Sequence, residues 1–142
     1  MKIIELLSIS ETQVDEFREL YTELSPSIIV NKEKILRAIE SPGTRVFVIL
    51  DEDEHIIGSA TLCVSSLPTG RVASVEAVVV SSRYRGQGLG KMLMEHVIGY
   101  ARREFPGTAI HLTSNPKRVV ANEMYKSLGF QKVETNVYRM EV

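Results

Sequence analysis

The chain has 142 residues, 44% hydrophobic and 25% charged, which fits one soluble globular domain able to bury a core of its own. Lys and Arg number 17 against 18 Asp and Glu, a formal net charge of -1 that argues against a nucleic-acid binder, where a basic excess or stripe is the rule. The single cysteine, Cys63, excludes an internal disulfide framework and a Cys cluster for zinc, and no apolar run reaches the ~20 residues a membrane-spanning helix needs.

In chain order the pattern is mixed. Lys2 to Leu7 reads as a first strand. Met1 to Ser8 carries no charged leader followed by a long apolar core, so the reducing cytoplasm is the expected compartment. Ser10 or Glu11 opens a helix in which Val14, Phe17, Leu20, Tyr21 and Leu24 recur at helical spacing, and Pro26 ends it. Asn31 is placed to cap a second helix with Ile35, Leu36 and Ile39 on its apolar face. After the turn Ser41-Pro42-Gly43 come strands over Val46–Leu50 and Ile56–Val64, joined by the loop Asp51–His55. Leu67-Pro68-Thr69-Gly70 turns into a long strand, Arg71–Ser81. A helix over Gly88–Glu104 stops at Phe105-Pro106-Gly107. A strand over Ala109–Thr113, a helix over Lys117–Leu128 with Asn115 as cap and Pro116 in its first turn, and a closing strand region over Gln131–Met140 complete the chain. The run of antiparallel-looking strands in the middle predicts an α+β domain over residues 1–142 rather than a doubly wound sheet.

The junction after Ser81 carries the chemistry. Val78-Val79-Val80 is a β-branched run suited to a central strand. Arg83-Tyr84 then leads into Arg85-Gly86-Gln87-Gly88-Leu89-Gly90, and a helix opens at once. Alternating glycines let a backbone turn sharply and approach a ligand. A helix N-terminus with unpaired N–H groups and about half a positive charge suits a phosphate. The pattern is neither a dinucleotide-binding fingerprint nor a P-loop, because the last glycine of the one and the Gly-Lys-Ser/Thr of the other are missing. A tight strand-to-helix turn with no ligand explains the glycines equally well.

Two separated blocks decide between these readings. Arg85-x-x-Gly88-x-Gly90 resembles the Gln/Arg-x-x-Gly-x-Gly/Ala signature of the GNAT superfamily of N-acetyltransferases. Tyr125-Lys126-Ser127-Leu128-Gly129-Phe130, preceded by Arg118-x-x-Ala121, resembles the family's Tyr-x-x-x-Gly-Phe ending. The resemblance covers Val75–Phe130 by motif and the N-terminal third by element order. It implies a GNAT-like, mostly antiparallel central sheet whose parallel strands, Val75–Ser81 and Ala109–Ser114, splay at a cofactor cleft flanked by helices. It implies acetyl-CoA as acyl donor, with the pantetheine arm paired along the backbone of Val78, Val79 and Val80. The pyrophosphate would lie on the N–H groups of Gly86, Gln87, Gly88, Leu89 and Gly90, with charge from Arg85 or Lys91. Asn122 would reach the pantetheine from the last helix; many relatives have an asparagine where this chain has Arg118.

The implied reaction is direct attack of a primary amine on the thioester. Glu76 is the candidate base, since it sits in the same strand as Val78 and Val80 at matching parity, so that all three side chains point to one face. A salt-bridged or edge-exposed carboxylate is the alternative. The N–H of Val79 or Val80 would stabilise the oxyanion. Tyr125 is the candidate acid for the departing thiolate, a phenol that keeps its proton at neutral pH; a core tyrosine is the alternative. His55, His96 and His111 share no metal-ligand spacing and read as solvated, packed and edge residues. Cys63 reads as a small buried apolar residue, and no metal is expected.

The acceptor, a small-molecule or peptide amine, is expected against the first two helices. There Tyr21, Glu23, Ser25, Ser27 and Asn31 offer polar contacts, Glu23 to an ammonium, though a solvated helix face explains Glu23 equally well. Relatives pair through edge strands, so Val133–Met140 is a candidate homodimer contact. The rival readings are a non-catalytic acyl-CoA-binding module and an unrelated phosphate-binding domain; only the enzyme needs Glu76 and Tyr125.

Overall fold

In the computed structural model, which describes residues 1–142, the elements are β1 (Lys2–Glu5), α1 (Glu11–Leu24), α2 (Lys32–Glu40), β2 (Thr44–Leu50), β3 (Ile56–Leu67) and β4 (Gly70–Val80). A 3-10 turn at Ser82–Tyr84 follows, then α3 (Leu89–Glu104), β5 (Ile110–His111) and α4 (Val119–Ser127). The strands form one sheet in the order β1-β2-β3-β4-β5. All neighbours are antiparallel except β4 and β5, which are parallel. The fold is the predicted α+β class, with a parallel pair at one edge.

Local chemistry sets the first half of the chain. Ser10 Oγ accepts from Gln13 N while the Gln13 side chain accepts from Ser10 N, a reciprocal cap on α1. Asn31 caps α2 by accepting from Lys34 N. β2 is buried on both faces from Val46 to Leu50, so successive side chains feed two cores. Val46, Val48 and Leu50 pack under α1 and α2 with Val14, Phe17 and Leu20. Phe47 and Ile49 pack on the other face with Leu93, Met94 and Val97 of α3 and Tyr125 of α4. Each such fully buried side chain contributes roughly 1.5–3 kcal/mol.

β4 is the irregular strand. Ser59 pairs with Val79 and Thr61 with Glu76, so Ala60 faces the two residues Ala77 and Val78. Ala77 takes φ +53, a left-handed conformation uncommon outside glycine. The result is a β-bulge, a device that bends a strand and re-aims its side chains. β5 pairs with β4 only at Ala73 and Ser74. From Val75 onward that edge of β4 has no strand beside it.

The loop between β2 and β3 holds the turn that follows β4. Asp51 Oδ1 accepts from Asp53 N and His55 N at 2.9 Å each, and Oδ2 accepts from Tyr84 Oη at 3.3 Å. The His55 N–H is the main reason the Asp51 carboxyl sits below its ordinary value. A carboxylate whose folded value is depressed stabilises the fold above its unfolded value, and that contribution disappears as the pH falls through the folded one. Asp51→Ala is therefore expected to lower the thermal midpoint at neutral pH, with the difference from the parent shrinking as the pH drops below about 4. Parallel melts from neutral to acid pH read this directly.

The structure corrects four expectations at the C-terminal end. Gln131–Met140 forms no strand and lies exposed, because an alternating pattern becomes a strand only where an edge pairs with it, and none does. β5 is shorter than Ala109–Thr113. α4 begins at Val119, two residues after the expected Lys117. Asn115 Oδ1 accepts from Lys117 N in a local turn, and Arg118, not Asn115, occupies the cap position.

Candidate active site

Three elements converge at the end of β4. A Cβ added at Gly90 would stand 3.8 Å from Met124 Cε of α4 and 3.9 Å from Val80 Cγ2 of β4. The start of α3, the unpaired edge of β4 and the face of α4 are therefore in contact around Gly90. Gly86 and Gly88 adopt φ of +80 and +75, and a Cβ at either would meet nothing within 4 Å. Gly88 is the N-cap of α3 with no side-chain cap. The first intrahelical bond is Met92 N to Gly88 O, so the N–H groups of Leu89, Gly90 and Lys91 have no partner within the helix. Leu89 anchors its side chain in the core. Gln87 and Lys91 are exposed, and Lys91 enters no ion pair, so its ammonium is free beside the helix start. This is a cradle for an anion.

Arg85 is engaged by other groups of the chain. Its Nε donates to Val80 O at 3.2 Å, and its guanidinium pairs with Glu23 of α1 at 3.3 Å.

The bulge also corrects the strand. Ser81 N donates to Ile57 O. By ladder alternation Val79 turns its amide to β3, while Val80 turns its own to the open edge; Val78 lies within the bulge. Val79 is thus unavailable to a ligand there. Its side chain packs with the α1/α2 core, while those of Val78 and Val80 pack on the α3/α4 side. Glu76, opposite Thr61 and two pairs from Ser59, shares the face of Val79. The expected common face of Glu76, Val78 and Val80 does not exist, because one extra residue at Ala77 inverts the alternation. Glu76 is exposed and has no hydrogen-bond or ion-pair partner.

Tyr125 lies on the other side of the sheet, 5% exposed in the α3/α4 core. Burial pushes its hydroxyl above the ordinary tyrosine value, partly offset by the Arg118 guanidinium. Its place is set by the end of its helix. Phe130 N donates to Tyr125 O and Gly129 N to Lys126 O, with Gly129 at φ +99. That is a Schellman cap, and its usual hydrophobic contact is the Phe130 ring edge-on to Tyr125 at 6.1 Å. The block Tyr-x-x-x-Gly-Phe is thus a helix stop that holds a phenol.

Asn122 is occupied: its Nδ2 donates to Asn115 O and Arg118 O, bracing the turn before α4 rather than reaching the cleft. Glu23 accepts from Ser82 N and Ser82 Oγ as well as pairing with Arg85. Ser25 and Ser27 bond each other, and Asn31 is spent as a cap. Of the expected acceptor contacts only Tyr21 faces a cavity, its hydroxyl bonded to the fully buried Ser59 at 3.1 Å. Sequence reasoning missed Ser114, just beyond β5, whose buried Oγ has no partner; a lone serine after a strand carries no signal. His96 packs edge-on against Phe47, His55 meets Glu16 and His111 is exposed. Cys63 is half-buried, and burial first and Glu76 second raise its thiol. No group of three His, Cys, Asp or Glu side chains is arranged to hold a metal ion. No helix is long and apolar enough to cross a membrane.

A family model described as acetyltransferase (GNAT) family matches residues 6–130. N-acetyltransferase 8B of Rattus norvegicus is 32% identical over 88 residues, which are 61% of this chain but 39% of that protein, so the chain spans well under half of this relative. An acetyltransferase of Trypanosoma brucei superposes with a TM-score of 0.80 at 25% identity over 99% of both chains. Glucosamine-6-phosphate N-acetyltransferase of Arabidopsis thaliana gives 0.78 at 21% identity over 98% of this chain and 97% of its own, a likeness of fold alone.

Proposed function

The chain belongs to the acetyltransferase (GNAT) family, and from that premise we propose that it transfers an acetyl group from acetyl-CoA to a primary amine by direct attack within a complex of both substrates. The observation that carries this reading is the meeting of an unpartnered helix start and an unpaired strand edge at Gly90, with a buried phenol in the core that Val80 and Met124 pack against.

The residues fit acetyl-CoA. Two left-handed glycines leave open space, and three N–H groups of α3 lack helical partners for the pyrophosphate. The open edge of β4 offers the Val80 amide to an extended amide-bearing arm, as strand addition does. Ser114 Oγ, three residues past β5, is a buried group in want of a partner. When bound, acetyl-CoA supplies an activated acetyl thioester.

Glu76 and Tyr125 flank that edge from opposite faces of the sheet. Glu76, unpaired and wet, accepts the proton of the incoming ammonium on the α1/α2 face. Tyr125 keeps its proton at neutral pH and gives it up on the α3/α4 face, where a departing sulfur gathers negative charge. The partner is thus a small-molecule or peptide amine, the compartment the cytoplasm. A homodimer through residues 131–140 would order a segment that is unpaired in the single chain.

Isothermal titration tests the reading. Acetyl-CoA is expected to bind saturably and ATP not to, followed by coenzyme A release on addition of an amine. Equal binding of ATP, or no binding of acetyl-CoA by folded protein, overturns it. Binding without turnover across an amine panel replaces the enzyme with a non-catalytic acyl-CoA-binding module.

A further inference from the structure

Beside the bulge, on the α1/α2 face, lies a cavity of about 280 Å3 whose wall is hydrophobic at nine of eleven residues. Its lining runs from the buried Phe17, Ile35 and Val46 to the exposed Ile28 and Ile29, and includes Ala77, the bulge residue itself. Ile29 is 73% exposed, an apolar side chain held out in water. The polar residues of the lining are Tyr21, Thr61 and Lys34, and no carboxylate lines it. Lys34 sits at the rim, its Nζ donating to Ile29 O at 3.0 Å.

From this wall we infer that the acceptor is a monoamine carrying an aryl or branched alkyl group, which buries that group in the cavity and presents its nitrogen at Ala77. The inference rests on the acetyl-transfer reading and narrows its acceptor. Apolar burial supplies the affinity. The one carboxylate on this face near the bulge, Glu76, opposite Thr61 across the strands, meets the single ammonium. Polycations are disfavoured twice. A second ammonium would enter an apolar space without an acidic partner, and it would pass the Lys34 charge at the rim. Glu23, two residues from Tyr21 in α1, is consumed by Ser82 and Arg85.

The test measures coenzyme A release by the full chain with acetyl-CoA and four acceptors: 2-phenylethylamine, isoamylamine, spermidine and kanamycin. The two apolar monoamines are expected to exceed both polycations in kcat/KM by about tenfold or more. Ile29→Asp, a change on an exposed side chain, is expected to raise KM for 2-phenylethylamine about tenfold while the acetyl-CoA Kd measured by calorimetry holds. Lys34→Glu is expected to narrow the gap to spermidine. Equal or better turnover of spermidine or kanamycin overturns the inference, as does acetyl-CoA binding with no turnover of the monoamines, or an Ile29→Asp KM that does not move. Absence of acetyl-CoA binding brings down the underlying reading as well, which separates the two failures.

Discussion

Tyr125→Phe is expected to lower turnover by about 100-fold, some 2.7 kcal/mol in barrier, while acetyl-CoA affinity stays within about twofold. The substitution removes one oxygen and keeps the ring. The Schellman cap from Phe130 N and Gly129 N uses only backbone groups, and the edge-on contact with Phe130 is retained, so the melt should hardly move. Burial already holds the hydroxyl above its ordinary value. The parent therefore keeps its acid through neutral pH, and its activity should not fall on the alkaline side before the ordinary tyrosine range near ~10 is passed. Pre-steady-state rates with a good amine separate chemistry from product release. An unchanged chemical step in the variant makes Tyr125 a packing residue and leaves the proton to water.

Gly88→Val is expected to weaken acetyl-CoA by at least about tenfold, or 1.4 kcal/mol, and to cost the fold about 1–3 kcal/mol. Both effects come from one backbone angle. Gly88 holds φ +75 at the N-cap of α3, where a β-branched residue is a genuine outlier. The space its side chain would fill is the open space above the α3 N–H groups. Gly88→Asn distinguishes strain from obstruction, since asparagine tolerates the left-handed region. A weak cofactor in both variants, with a normal melt for asparagine, means obstruction of the cradle. Undiminished binding in both means the pyrophosphate is held elsewhere.

The residues that were legible in advance share a property: their signal is short-range. Ser10 with Gln13, Asn31 with Lys34, and the helical spacing of Val14, Phe17 and Leu20 lie within a turn or two of one another, and these caps and faces are found as read. The glycine loop is also local, because a left-handed residue at a strand-to-helix junction needs glycine whatever surrounds it. The partners of Arg85, Glu23 and Asn122 are not legible in the sequence for the opposite reason. Each is a long or branched polar side chain at the right place in sequence, but nearby backbone groups and opposite charges offered it bonds first. Only the folded chain shows which partner is near: Glu23 and Arg85 meet across 62 positions.

By itself the sequence determined the α+β element order through α4, the glycine turn at Gly86–Gly90 and the helix stop that carries Tyr125, since each depends on residues within a few positions of each other. The tertiary structure alone decided which face Glu76 takes, which amides stay open and what lines the cavity beside α1 and α2. Side-chain alternation in a strand is a local rule, but the bulge at Ala77 that resets it is held by pairing with Ser59 and Thr61 of β3. That register, and the apolar space left between the bulge and helices α1 and α2, arise from contacts between distant segments, and no window along the chain contains them.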